Sequence, residues 1–454
     1  MVQPERYTEM RVDDCRERVK MLDATWLSDA LGEPSLDDGA PTLSTGELEH
    51  SESGVRRSRM PVTGLFISVY IVALVLFSQR SSTVIITTIL GLALAVVFVV
   101  ELVARRHSFA FPAPLVWFAI FLCYCTFQMI YAPGSITMLL TLFQLLVLAI
   151  ILVNYGMLVG DAAAFDWAVY FAVICTFVYN LVANPQEIDG RIGSTLINPN
   201  GYSLLLMIGM LLAFRRLLLS SLNYKLKSKA VLAFILYFSL SVYGIVYLAG
   251  SRKGILLTLA ASVFLVLYWL WQQPTRRRIW VSIVVVALFA SLGYVLYESP
   301  QFSRIVDLSN FLEGGSPADT GLLIRNQMLK DGFNLWLQRP FLGFGLDQFR
   351  LASGWGTYSH DNYLELLVNT GFVGLLIYIM VYVSAFLSLV RSLRFSGDPR
   401  IAADLLWALT VLGVLAAWDL GAVSYYEKLN WLMLSVVIVI AARAKLASNA
   451  SGHD

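Results

Sequence analysis

The chain has 454 residues, of which 57% are hydrophobic and 14% charged, with a formal net charge of +2 and a mean hydropathy of +0.68. Soluble domains carry about 25% charged residues, so this composition excludes an ordinary soluble protein and indicates an integral membrane protein. The near-neutral charge gives no basis for nucleic-acid binding, and the four cysteines form no framework: Cys15 lies in a polar tail, while Cys123, Cys125 and Cys175 sit in apolar runs where a Cys-x-Cys pair points to different helix faces.

Residues 1–60 are polar and acidic, carrying Asp13, Asp14, Glu17, Asp37, Asp38, Glu47, Glu49 and Glu52. They contain no signal-peptide core and too little apolar surface to fold, so a largely disordered cytoplasmic tail is expected. From Pro61 onward apolar runs of about twenty residues recur, each long enough to cross the roughly 30 Å hydrocarbon core. Spans are expected at about 61–79, 82–104, 111–132, 135–154, 163–184, 197–218, 230–249, 254–272, 278–297, 363–390, 401–420 and 428–443. The expected fold is therefore all-α, a polytopic bundle of about twelve transmembrane helices. No period-two alternation runs long enough for a barrel. Helices one to nine occupy 61–297, a long loop 298–362, helices ten to twelve 363–443, and a short cytoplasmic tail 444–454.

Lysine and arginine set the orientation. Arg56, Arg57 and Arg59 precede the first span. Arg105, Arg106, Arg215, Arg216, Lys225, Lys227, Lys229, Arg276, Arg277, Arg278, Arg391, Arg394, Arg400, Arg443 and Lys445 fall on the same side. Both termini are thus expected in the cytoplasm, with the long loop outside. Cations that oppose this bias stand out: Arg191 in Gly190-Arg191-Ile192-Gly193, and Arg252 with Lys253 in Gly250-Ser251-Arg252-Lys253-Gly254. Charges placed against the topology at helix ends ask for a reason.

The loop is the longest polar interruption in the membrane region. Asp319 or Thr320 can cap an amphipathic helix with an apolar face of Leu322, Leu323, Leu329, Phe333, Trp336 and Leu337. Pro340 stops it, and Phe341-Leu342-Gly343-Phe344-Gly345 makes a tight re-entry. Such a helix would lie along the outer interface or cap the bundle. The loop ends on Ser359-His360-Asp361-Asn362-Tyr363-Leu364-Glu365. A neutral His360 can take a proton from a hydroxyl, oriented by Asp361 or Glu365; the competing reading makes it a cap for the helix starting near Asn362. Arg191 and Arg252 offer permanently charged, bidentate donors for phosphate oxygens, with Gly190, Gly193, Gly250 and Gly254 allowing close backbone approach. Snorkelling to lipid headgroups is the competing role for each. Asn200, in Asn198-Pro199-Asn200-Gly201, serves either a ligand or the helix start. Gly343-x-Gly345 lacks the strand and helix of a nucleotide loop. Among carboxylates near the spans, Asp419, then Glu101 and Asp166, come nearest to what a proton-coupled carrier needs. No metal or cofactor site is expected.

Taken in order, these pieces resemble the O-antigen ligase and polymerase superfamily of bacterial envelope glycosyltransferases. The resemblance covers roughly residues 180–380. It rests on Gly190-Arg191, Asn198-Pro199-Asn200, Gly250-Ser251-Arg252-Lys253-Gly254, Arg325, Arg339-Pro340-Phe341-Leu342-Gly343-Phe344-Gly345, His360 with Asn362-Tyr363-Leu364-Glu365, and Gly371-Phe372-Val373-Gly374. Asp361 departs from the family pattern, where Asn or Ser commonly follows the histidine. The resemblance implies a metal-independent, inverting enzyme of the bacterial inner membrane whose donor is an undecaprenyl-diphosphate-linked oligosaccharide. It implies that Arg191 and Arg252 hold the diphosphate and that His360 activates the acceptor hydroxyl. Arg325, Lys253, Asn200, Asp361 and Asn362 are the further groups expected to contact substrate. Polymerisation of repeat units for O-antigen or exopolysaccharide on the outer face is the leading expectation. Ligation to lipid A-core is the first alternative and a lipid-linked sugar flippase the second. Membrane lipid, a chain-length regulator and a flippase are the partners implied.

Overall fold

A computed structural model of the chain describes residues 60–77, 84–106, 109–159, 163–183, 187–188, 191–196, 198–221, 228–272 and 320–450, with scattered positions between 275 and 306. Numbered in chain order, its helices are α1 (Pro61–Phe77), α2 (Val84–Ala104), α3 (Ala113–Gln128), α4 (Ile136–Val159), α5 (Ala163–Val182), α6 (Pro199–Ser221), α7 (Ser228–Tyr243), α8 (Arg252–Trp271), α9 (Thr320–Gln338), α10 (Phe349–Ala352), α11 (Asn362–Arg394), α12 (Pro399–Trp418) and α13 (Lys428–Ala450). A π turn, Gly244–Ala249, follows α7, and the two-residue strands β1 (Glu187–Ile188) and β2 (Arg191–Ile192) pair between α5 and α6. Among the described residues, nine helices are long and apolar enough to cross a membrane, and α1 and α3 are shorter apolar helices. The protein is an all-α, polytopic membrane protein. Eleven of the twelve expected spans coincide with these helices; the expected span at 278–297 and, apart from Met60, the acidic tail at 1–60 fall outside the continuously described segments.

Every span is apolar, so composition alone does not decide which helix is central. Close approach does. The central helix is α6, buried along most of its length through Tyr202, Met207, Leu211 and Phe214. A methyl group at Gly254 would overlap the Ser203 hydroxyl, so at this point α8 packs its backbone directly on the Ser203 side chain of α6. Trp407 of α12 donates its indole N–H to the Leu211 carbonyl at 2.7 Å, which ties α12 to the same helix.

Helix α11 is one apolar run but not one helix. At Gly371 the backbone leaves helical space, with φ 67° and ψ −174°. The re-entry loop fills the break. Phe344 and Gly345 donate to the Val368 and Asn369 carbonyls at 2.9 Å each, while Phe372 and Val373 donate to Pro340 and Phe341 at 2.8 and 3.2 Å. Gln128 of α3 caps the arrangement, donating to the Leu342 and Asn369 carbonyls at 2.6 and 2.7 Å. The loop thus supplies the backbone bonds that the break removes from α11.

The face of α9 differs from expectation. Leu322 and Met328 are buried, and Trp336 packs on the cluster of Met328, Phe349, Leu364 and Val368. Leu323, Leu329, Phe333 and Leu337, assigned to the same face by spacing, are exposed. The helix carries two apolar stripes. The approach of Gly332 to Leu364 and Phe349 selects the stripe that docks.

Candidate active site

Three short turns define one end of the bundle. In the first, Ile188 of β1 faces Arg191 of β2, and β2 packs on the π turn. In the second, Asn198 accepts from the Asn200 amide at 2.9 Å as α6 begins. In the third, Gly250 takes a left-handed conformation with φ 53°, and Ser251 caps α8 by accepting from the Gly254 amide at 3.2 Å. The Ser251 hydroxyl also donates to Asn200 Oδ1 at 3.0 Å, which joins the second turn to the third. Asn200 is therefore half committed to structure. Its side-chain nitrogen, Nδ2, has no hydrogen-bond partner among the described residues.

Lys253 leaves the first turn of α8 toward α12. Its ammonium donates to the Trp418 carbonyl at 2.9 Å and lies 3.8 Å from the centre of the Trp418 ring. It neutralises the carbonyl end of α12, a normal place for a cation. Arg252 is one residue earlier and so points about 100° away around the helix; it is half-buried.

His360 has φ 62°, a left-handed conformation that costs a non-glycine residue about 1–2 kcal/mol. Its neighbours hold it there. Ser359 donates its amide to Glu365 Oε2 at 2.7 Å and its hydroxyl to the Asp361 carbonyl at 2.7 Å. Asp361, not His360, caps α11, accepting from the Leu364 amide at 2.8 Å. The capping role proposed for His360 is thereby filled by another residue. Tyr358 packs edge-on against the imidazole with ring centres 4.6 Å apart. Among the described residues neither ring nitrogen has a hydrogen-bond partner. Glu365 and Asp361 thus orient His360 through the backbone on either side of it, not by contact with the ring.

Asn362 is fully buried and spends its amide inside the protein. Its nitrogen donates to Asp419 Oδ2 at 3.0 Å, and its oxygen accepts from the Ser424 and Tyr425 amides at 3.0 and 2.9 Å. Three of its four hydrogen-bonding positions are used, which makes it a residue that positions the start of α11. Asp419 also accepts from Tyr382 at 3.2 Å, Tyr378 at 3.3 Å and the Ser424 hydroxyl. Sequence reasoning marked Asp419 only as a carrier-type carboxylate. Its link to Asn362, 57 residues away, has no local signal.

The charges meet at His360. Burial, then the fields of Arg325, Lys253 and Arg191, depress its pKa to about 4. Four of the expected residues are therefore brought together, although they come from β2, α8, α9 and the end of the loop. Arg325 also acts on Lys253, and Asp361 and Asp419 oppose it there. Burial raises Asp361, while the Leu364 and Tyr363 amides pull it back. Glu427, between α12 and α13, is pushed up to about 7 by burial, with Lys428 lowering it, and it acts on Tyr358 beside the imidazole. Sequence reasoning missed Glu427, which sits in a short polar turn with no motif. Among the described residues no group of three or more His, Cys, Asp or Glu side chains gathers to hold a metal ion.

The arrangement is an open neutral imidazole ringed by cations at the end of a helical bundle. Residues 232–379 match the family model described as O-antigen ligase. Over 298 residues the chain is 25% identical to an O-antigen ligase from Pseudomonas aeruginosa. Both matches are thus to O-antigen ligases, and the chain is similar to them over these stretches. The second match covers 63% of this chain and 65% of the relative, so the chain spans less than two thirds of that relative's length. The segment that matches the family model runs from α7 past the break in α11, and it contains Arg252, Lys253, Arg325, His360, Asp361 and Asn362. Arg191 and Asn200 lie before it and Asp419 after it. The contacts above attach those outlying residues to the matched segment.

Proposed function

We propose that this chain is an inner-membrane glycosyltransferase that moves an oligosaccharide from an undecaprenyl-diphosphate carrier to an acceptor hydroxyl on the outer face of the membrane. The observation that carries the reading is the convergence of Arg191, Lys253 and Arg325 on a neutral, open His360. In the reaction the acceptor oxygen forms a bond to the anomeric carbon as the bond from that carbon to the diphosphate oxygen breaks. The acceptor proton passes to His360, and the electron pair leaves with undecaprenyl diphosphate. Arg191, Arg252 and Arg325 stabilise the charge that develops on the leaving group, a role that fixed guanidinium groups can fill without a metal ion. Attack from the face opposite the diphosphate inverts the anomeric carbon. Lys253 holds the end of α12 and adds its field, and Asn200, Asp361 and Asn362 fix the turns that carry the reacting groups.

The acceptor separates two readings. A polymerase adds the glycan to another lipid-linked repeat unit, as in O-antigen or exopolysaccharide assembly. A ligase adds it to lipid A-core or another final acceptor, and both matches, to O-antigen ligases, favour this reading. A flippase would use a titratable group free to exchange protons, whereas Asp419 is engaged by four side chains. The test uses purified protein, a synthetic undecaprenyl-diphosphate repeat unit and EDTA, with and without lipid A-core. Elongated lipid-linked product supports the polymerase, and transfer only when lipid A-core is added supports the ligase. No transfer in either arm, or transfer that persists undiminished in His360→Ala, overturns the proposal.

A further inference from the structure

The turn between α12 and α13 is fastened to the loop that carries His360. Asn362, two residues past the imidazole, accepts from the Ser424 and Tyr425 amides at 3.0 and 2.9 Å. The Glu427 amide donates to the Ser424 carbonyl at 2.9 Å, which closes the turn. These bonds fix Glu427 relative to His360, although the two are far apart in sequence.

Three half-buried side chains gather beside the imidazole: Tyr358, Tyr426 and Glu427. Tyr358 stands edge-on to His360, Glu427 acts on both tyrosines, and Tyr358 acts on Tyr426. Among the described residues the Glu427 carboxylate and the two phenol hydroxyls have no hydrogen-bond partner. Lys428, next in the chain, makes no ion pair with Glu427 there. Burial that holds the Glu427 carboxyl near 7 marks an acid with too few donors around it. An ionised carboxylate only accepts hydrogen bonds, so what it lacks is a donor such as an O–H group.

Resting on the transferase reading, we infer that Tyr358, Tyr426 and Glu427 form the subsite for the acceptor sugar, with the Glu427 carboxylate accepting hydrogen bonds from hydroxyls next to the one that attacks. Charge separates this side from that of the donor. Arg325, Lys253 and Arg191 act on the imidazole, whereas Tyr358 feels Glu427 first and Arg325 only after it. A carboxylate on this side repels a diphosphate and leaves the place to an uncharged group. A pyranose suits what remains. Its C–H faces lie against aromatic rings, and its hydroxyls meet phenol and carboxylate oxygens. A sugar against Tyr358 is adjacent to the imidazole, where the proposed base takes its proton.

The test uses the full chain in detergent and a repeat-unit donor whose terminal sugar hydroxyls are methylated, so that it can give its glycan but not receive one. The acceptors are the unblocked repeat unit and lipid A-core, and methyl-capped product is counted by mass. Glu427→Ala should raise KM about 10–100-fold for whichever acceptor the native protein uses, the value of a hydrogen bond to a charged group. KM for the blocked donor and the melting temperature should stay as in the native protein. Glu427→Gln, which keeps one accepting oxygen, should fall between. An acceptor lacking one hydroxyl beside the attacking one should be used less well by the native protein, and Glu427→Ala should add little to that loss. An unchanged acceptor KM, a rise in donor KM instead, or fully additive losses overturn the inference and leave the transferase reading in place. If the native protein transfers nothing, that reading fails, and binding alone decides the inference. Saturation-transfer signals from the lipid-free repeat-unit or core oligosaccharide, present with the native protein and lost in Glu427→Ala, support a saccharide subsite. Signals that are absent from the native protein, or undiminished in the variant, overturn it.

Discussion

The residue proposed as the general base is held in an unfavourable backbone conformation and an unfavourable field. His360 at φ 62° is fastened by Ser359, Asp361 and Glu365 and repelled in its protonated form by three cations. With a pKa near 4 its imidazole is neutral across the physiological range, and protonation removes the base only as pH falls toward 4. We therefore expect kcat/KM for glycan transfer, which reports the free enzyme, to stay flat through pH 6.5 and to fall below about pH 5. A bound diphosphate neutralises the surrounding cations and so raises the pKa again. The acid limb of kcat, which reports the complex, should accordingly lie at higher pH than that of kcat/KM, and a pH–rate profile measures both. His360→Ala should lower kcat by about 10²–10⁴-fold, the usual value of a positioned general base. Asn362 acts differently, through stability. Asn362→Ala leaves the Ser424 and Tyr425 amides unpaired in a buried site and takes one donor from Asp419, at about 1–3 kcal/mol for each unsatisfied group. Its expected signature is a lowered melting temperature, read by thermal unfolding in detergent.

Among the elements, the broken helix α11 decides where the loop sits. Gly371 has a φ and ψ that only glycine adopts readily, and a Cβ there would overlap the Phe341 carbonyl. Gly354 is also left-handed, with φ 74°, but has nothing within 4 Å of its missing Cβ. The two positions separate backbone strain from close approach. Gly354→Ala should cost about 1–2 kcal/mol, while Gly371→Ala should cost more than that and release the loop. Limited proteolysis between Arg339 and Gly345 checks this, with rapid cleavage expected only in Gly371→Ala. The turns that bear chemistry were legible because Gly250-Ser251-Arg252-Lys253-Gly254 and Ser359-His360-Asp361 interrupt apolar runs with residue types a lipid-facing helix does not need. The break at Gly371 was not, since residues 363–390 read as one apolar run and glycine is common in membrane helices. The docked stripe of α9 was hidden for a related reason: spacing identifies apolar faces, and with two present only the partner helix chooses.

Taken whole, the molecule has two polar ends joined by apolar helices, and the ends are built differently. Around His360 the cations Arg191, Lys253 and Arg325 face an open imidazole. At the other end Arg215 and Arg216 are matched to Asp404 and Asp166, with Lys229, Arg391, Arg394 and Arg400 added at the helix ends. This second end carries the larger share of basic residues, which is the side that stays in the cytoplasm when short loops set the topology. If that rule governs this chain, the His360 end faces outward, where a lipid-linked glycan already flipped across the membrane would meet it. Two exposed positions report on the two ends: Ala352 at the end of α10 near the His360 loop, and Gly397 in the turn between α11 and α12, which has open space around its missing Cβ. In a background with Cys15, Cys123, Cys125 and Cys175 replaced by serine, Ala352→Cys should react with a membrane-impermeant maleimide in cells whose outer membrane has been permeabilised. Gly397→Cys should react only after the inner membrane is lysed. The reverse pattern would put His360 in the cytoplasm and remove the reason for an outward-facing transferase.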